Sequence, residues 1–220
     1  MGQYYRGAII KSYKNGKVRI RKAFCCYSHG NGAKLMEHSY VGNHYVKEYE
    51  KALANNYYGS QFVWVGDYAD REDIYNLACE YIEKNALRRA KKKGFEYNPN
   101  TRWGEEFIKY VKGQEPITAN EKDFDEVTKY KKFETYKYII NFTKKMFVII
   151  PEKKENGLTI HPLPLLCCDG NGRGGGGYYG TNMKLVGSWA YDEIGIGNEL
   201  PEDITEELVV KFEEDWLTNW

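Results

Sequence analysis

The chain has 220 residues, and its 32 Lys and Arg nearly cancel 31 Asp and Glu, so no net field draws it toward nucleic acid or an anionic membrane and only local patches are left open. The length suffices for one substantial core. No apolar window approaches the ~20 residues that span a bilayer, and the longest aliphatic patch, Met146 to Ile150, is strand-sized.

In chain order, Tyr4–Tyr13 and Lys17–Phe24 are rich in β-formers and flank Asn15-Gly16, the strongest short signal for a hairpin. A loop over Cys25–Gly42 carries a short helix at Ala33–His38. A firmer helix spans His44–Ala54, capped by Asn43, with Tyr45, Val46, Tyr49, Ala52 and Leu53 on one face. Gln61–Val65 reads as a strand. Asp70 then caps a long helix, Arg71–Lys93, whose apolar stripe is Ile74, Leu77, Ala78, Tyr81 and Ile82 and whose last turns are basic. Residues 95–132 form a charged, irregular insertion with a short helix at Gly104–Lys112.

Glu134–Asn141, Lys145–Ile150, Leu158–His161, Leu165–Cys167, Lys184–Trp189 and Glu193–Ile196 read as strands. The chain closes with a helix capped by Thr205 that presents Leu208, Phe212 and Trp216. Hairpin-like turns between strands predict an α+β fold: a mainly antiparallel sheet with three to four helices packed on it, in a single domain with the insertion at about 95–132.

The five cysteines are Cys25-Cys26, Cys79 and Cys167-Cys168. Adjacent pairs do not fit a secreted disulfide framework, and no signal-like segment precedes them, which points to a reducing cytoplasm. Adjacent cysteines also chelate one metal poorly, so no metal is assigned. His29, His38 and His44 lie close by in sequence, yet buried free cysteine behaves as a small apolar residue, and that reading is preferred to a Cys–His nucleophile.

The stretch that concentrates possible chemistry is Asp169–Gly180. Its glycines offer successive backbone N–H groups for an anion, Arg173 adds a bidentate cation, and Tyr178 or Tyr179 supplies a ring to stack on a base. It matches neither a P-loop nor a dinucleotide fingerprint, and no cofactor motif is recognised. Asn171, Gly172, Arg173, Gly174, Gly175, Tyr178, Tyr179 and Trp189 are the candidate ligand contacts. The alternative for this stretch is a plain surface loop. Glu37, His38, Asp67, Asp169 and Asp192 are the acid–base candidates, on condition that their segments converge; capping and turns explain Asp67 more cheaply.

Several phrases run through most of the chain: Met1-Gly2-Gln3-Tyr4-Tyr5, Lys34-Leu35-Met36-Glu37-His38-Ser39, Trp64 to Asp70, Gly170 to Gly176, and Val186-Gly187-Ser188-Trp189-Ala190. In these it resembles a sparsely described group of prokaryotic and phage-type proteins of unassigned activity. Where the group's pattern carries Asp after the glycines, this chain has Gly177.

Three functions are expected from this reading. The first is binding of an anionic small molecule or nucleotide at the glycine-rich loop. The second is hydrolase or transferase chemistry at the acidic and His residues. The third is a protein-binding inhibitor or adaptor, in phage–host conflict, that uses exposed Tyr and Trp as anchors. Neither a membrane nor an extended nucleic-acid surface is expected as a partner.

Overall fold

The computed structural model describes residues 3–92, 95–96, 110–111, 134–155, 158–170 and 184–210. Contacts divide the chain into two compact units, Met1–Ala78 with Glu134–Trp220, and Cys79–Phe133. The first unit is α+β and holds a mixed, mostly antiparallel sheet.

Strands β1 (Tyr5–Ser12) and β2 (Val18–Ala23) form the hairpin that Asn15-Gly16 predicts. Gly16 has a φ of 78°, the left-handed conformation that the turn needs and that costs glycine little. Next come α1 (His44–Ala54), β3 (Ser60–Gly66) and α2 (Glu72–Lys92), the last running on into the second unit. In that second unit β4 (Phe95–Glu96) pairs with β5 (Tyr110–Val111). Tyr110–Val111 is therefore strand where a helix over Gly104–Lys112 was expected; the rest of that span lies outside the described residues.

Back in the first unit, β6 (Tyr138–Asn141), β7 (Met146–Ile149), α3 (Pro162–Leu166), β8 (Cys168–Asp169), β9 (Glu193–Gly197) and β10 (Glu206–Glu207) complete the elements. The sheet order is β10-β7-β6-β9-β3-β1-β2, with β8 beside β3. Two pairs are parallel, β3 with β8 and β7 with β10; the others are antiparallel.

Three expectations are corrected here. The Leu163, Leu165, Leu166 run is a helical turn, α3, because Pro162 sits in its first turn and the His161 side chain caps it by accepting from the Leu163 N–H at 3.2 Å. Lys184–Trp189 is a series of turns rather than a strand. Glu206–Glu207 is an edge strand paired with Met146–Phe147, so no helix starts at Thr205; residues 211–220 lie outside the described ones.

The core lies where α1 crosses the sheet. Asn43 caps α1 by accepting from the N–H groups of Tyr45 and Val46, and Tyr45, Val46, Tyr49 and Leu53 are buried. The Tyr45 and Tyr49 rings meet Phe62 and Trp64 of β3 with centroids 5.0–5.4 Å apart, mostly edge to face, an arrangement worth roughly 0.5–1.5 kcal/mol per pair beyond burial.

Pairing of β1 with β2 ends at Ala8↔Ala23. Beyond it, the Gly7 N–H donates to the Tyr45 hydroxyl at 3.2 Å, and the Gly7 carbonyl accepts from Tyr49, whose hydroxyl also accepts from Phe24 N–H at 2.9 Å. Two tyrosine hydroxyls thus replace a missing strand and satisfy backbone groups that burial would otherwise orphan. The same device requires glycine at position 7, since a Cβ there would stand 2.6 Å from the Tyr49 ring. Among the described residues no helix is long and apolar enough to cross a membrane.

Candidate functional site

The carboxyl ends of β3 and β8 lie side by side, because Trp64 pairs with Cys168 and Val65 with Asp169 in parallel register. On the other flank of β3, Tyr5 is in register with Gly66. Tyr5, the first residue of β1, and Gln3, just before it, reach across this row. Tyr5 donates its hydroxyl to the Gln3 side-chain oxygen at 2.7 Å; Gln3 lies over Gly66, and Gln3 and Tyr5 together lie over Gly170. A Cβ on Gly66 would fall 2.5 Å from the Gln3 amide nitrogen, and one on Gly170 would meet the Tyr5 hydroxyl. These two glycines hold the strand ends low beneath Gln3 and Tyr5, and the glycine-rich sequence leaves from the second of them.

Charged groups surround this end. Asp67 Oδ1 accepts from the Tyr4 N–H at 3.0 Å, and the Asp67 N–H donates to Tyr4 O at 2.9 Å, which fastens the entry of β1 to the exit of β3. Asp169 accepts the Tyr191 hydroxyl. Tyr191 holds a φ of 70°, a costly conformation for a bulky residue, and burial first, then the Asp169 hydrogen bond, raise its phenol well above the ordinary value. Arg71 grips Asp73 through two hydrogen bonds of 2.9 and 3.0 Å and adds positive charge opposite Asp169 and Tyr191. Asp67, Asp169, Gly170 and Tyr191 are half-buried, and Tyr68 is exposed. Half-buried carboxylates and a guanidinium therefore meet at one end of the sheet, a set able to hold a hydroxylated or anionic ligand.

The sequence-based candidates divide sharply. Asp67 and Asp169 share the edge. Asp192 does not: its backbone carbonyl accepts from Phe62 N–H, which places it three residues back along β3, ~10 Å away at ~3.3 Å per residue. Its carboxylate takes the Lys144 ammonium at 2.5 Å and the Asn141 amide at 2.8 Å, which fixes the β6–β7 turn. The three aspartates do not converge.

Trp189 is 1% exposed, within the core, where its backbone N–H donates to Leu166 O at 2.7 Å, and burial makes its indole a packing element rather than a ligand contact. Glu37 turns its carboxylate back onto the Lys34 N–H at 2.8 Å as a cap. His38 is fully buried, accepts the Trp64 indole N–H at 2.8 Å on Nε2, and donates from Nδ1 to Gly32 O at 3.3 Å. Burial pushes its imidazole down to about 3. With both ring nitrogens committed inside the core, His38 is structural. Asn171, Gly172, Arg173, Gly174, Gly175, Tyr178 and Tyr179 lie outside the described residues.

The thiols are poor nucleophiles. Burial raises Cys26 to about 11 and Cys168 to about 12, and lifts Cys167 well above its ordinary value. No three His, Cys, Asp or Glu side chains group as metal ligands among the described residues.

One buried polar group escaped the sequence reading. His161 Nε2 donates to Glu50 Oε1 at 2.7 Å with both side chains 0% exposed, and Lys47 reaches Glu50 Oε2 at 2.6 Å. The signal was there to find. Glu50 stands on the apolar stripe of α1, four residues after Val46, and a carboxylate on a buried face demands a partner. Burial alone would raise its carboxyl, but the His161 hydrogen bond and the Lys47 charge outweigh it and hold Glu50 below the ordinary value.

No family model, no curated protein and no solved structure matches this chain.

Proposed function

We propose that this chain binds an anionic small molecule, with nucleotides the best-fitting class, at the sheet edge where β3 and β8 end. The observation that carries the reading is the departure of the glycine-rich sequence from the carboxyl end of β8, directly beside the parallel carboxyl end of β3. Ligands of open sheets gather outside the carboxyl ends of parallel strands, where departing loops leave a crevice.

The chemistry of the edge agrees with that placement. In the sequence that follows Gly170, glycines and Arg173 are of a chemistry that suits a phosphate; at the edge itself Asp67 or Asp169 suits a sugar hydroxyl, and the exposed Tyr68 offers a ring face. The test is calorimetric titration with a panel of nucleoside mono-, di- and triphosphates. At least one is expected to bind and to raise the melting temperature. Arg173→Ala should weaken that ligand by about 10-fold or more, the usual value of a charge-assisted hydrogen bond. If no nucleotide binds, or Arg173→Ala leaves every affinity unchanged, the reading is lost.

A further inference from the structure

The near-zero net charge hides a segregation. Residues 1–36 contain eight Lys and Arg and no Asp or Glu, so against a total of +1 the remaining 184 residues carry −7. Six of those eight cations, Lys11, Lys14, Lys17, Arg19, Arg21 and Lys22, fall on the β1–β2 hairpin, and five of the six are exposed, Lys22 being half-buried.

Their arrangement carries a cost within the fold. Lys11 and Arg19 are direct register partners, and like charges facing each other across a strand pair are destabilising. Lys22 joins the same face, since it pairs with Ile9 two residues before Lys11. None of Lys11, Lys14, Lys17, Arg19 and Lys22 has an ion-pair partner among the described residues. Aromatic rings are interleaved with these cations. Lys11 lies 5.5 Å from the centre of the Tyr13 ring, which is 43% exposed at the hairpin tip; Arg21 stands 5.1 Å over Tyr57, and Lys22 4.7 Å over Phe24.

We infer that the exposed end of the β1–β2 hairpin, from Lys11 through the tip to Arg19, binds single-stranded nucleic acid. Charge alone would equally suit an acidic protein or an anionic membrane. The rings decide the choice: a row of cations that follows a phosphate backbone, beside an exposed tyrosine on which a base stacks, is the combination that serves single strands. A membrane would want aliphatic side chains to insert, and Tyr13 is the one exposed large hydrophobic residue of the hairpin among the described residues. The surface is also separate from the edge proposed above. The tip follows Ser12, whereas the glycine edge adjoins Tyr5, ~23 Å away along β1 at ~3.3 Å per residue.

The experiment is fluorescence anisotropy of labelled dT12 and U12 oligomers with the full chain, between 20 and 200 mM NaCl. Binding is expected, with log K falling against log salt at a slope of about −2 to −3 if three to four phosphates are neutralised. The combined variant Lys11→Gln, Lys14→Gln, Lys17→Gln, Arg19→Gln changes exposed side chains only. It should keep or raise the melting temperature, since it also relieves the Lys11–Arg19 repulsion, lose more than about tenfold in affinity and flatten the slope. Tyr13→Ala should weaken binding about fivefold or more with the slope intact, as loss of one stacking plane predicts. Absence of binding to both oligomers at 20 mM NaCl overturns the inference, as does unchanged affinity in the combined variant. Equal or tighter binding of a 12-bp duplex, of polyglutamate or of phosphatidylserine vesicles overturns it too, in favour of the partner so identified.

Discussion

Beneath α1 and at the β3–β8 edge, this chain places the same kinds of residue, tyrosine, acid, histidine or arginine, and close-packed glycine, under opposite conditions. Under α1 each polar group is sealed in and committed: Tyr45 and Tyr49 to Gly7, His38 to Trp64 and Gly32, Glu50 to His161 and Lys47. At the edge, Asp67, Asp169, Gly170 and Tyr191 stay half-buried within reach of solvent. The difference teaches that an acid–base pair of good geometry does not by itself make a site. Glu50–His161 is the best-formed such pair in the described molecule, and nothing in solution reaches it.

The largest effect should come from breaking that sealed pair. Glu50→Ala leaves the His161 N–H buried without its acceptor and Lys47 without its anion, and such losses cost about 3–5 kcal/mol. Urea unfolding at pH 7 checks this against Glu50→Gln, which keeps a hydrogen-bond acceptor and should cost less. A cost below about 1 kcal/mol for Glu50→Ala would mean that the interior is wetter than the comparison holds.

Glycine at the two places should respond unequally. Gly7→Ala drives a Cβ into the Tyr49 ring, which is fixed by hydrogen bonds and packing, and overpacking of this kind costs about 1–3 kcal/mol. Gly66→Ala meets only the flexible end of Gln3, which can swing aside; less than about 1 kcal/mol is expected. Denaturant midpoints of the two variants measure the contrast directly, and equal costs would erase it.

The sealed region also sets a pH dependence. His38 takes up a proton near 6.5 when unfolded but only near 3 when folded. Between those values the unfolded chain holds the extra proton, so stability falls as pH falls. The slope approaches about 1.4 kcal/mol per unit below 6.5 and is flat above it. Stability at pH 5 should therefore lie about 2 kcal/mol below that at pH 7, with most of the difference absent in His38→Asn. Glu50 acts lower on the scale. Its depressed value stabilises the fold above the unfolded carboxylate range, and that stability is lost as pH falls through the folded value.

Local chemistry was legible in the sequence where one segment decides its own shape. Asn43 and the spacing of Tyr45, Val46, Tyr49 and Leu53 gave α1 its bounds, and Asn15-Gly16 gave the hairpin. The short apolar runs were not legible. Leu163 to Leu166 suits a strand or a helical turn equally by pattern, and His161 is an unusual cap, so only the folded context chooses. The parallel pairing of β3 with β8 joins residues a hundred positions apart, which no local pattern encodes. That pairing is what brings Asp169 beside the exit of β3, while Asp192 and Trp189, three residues apart in sequence, fall to the turn and the core. The basic hairpin was present in the sequence, hidden by a total that averaged it away.

The smallest effect on stability, and the one that most sharpens the contrast, concerns Tyr191. Its hydroxyl donates to Asp169 at a half-buried position, so Tyr191→Phe removes one hydrogen bond whose acceptor water can still reach. The backbone at φ 70° is equally strained in both forms, so that term cancels. About 1 kcal/mol or less is expected in urea unfolding, against the several expected of Glu50→Ala. If the edge is a binding site, however, freeing the Asp169 carboxylate alters what it can accept and returns a negative charge toward an anionic ligand. Nucleotide affinity should then drop by more than the stability change implies. A variant that loses stability but binds as before would make Tyr191 another internal strut, and would leave Asp67 as the acid on which recognition at this edge depends.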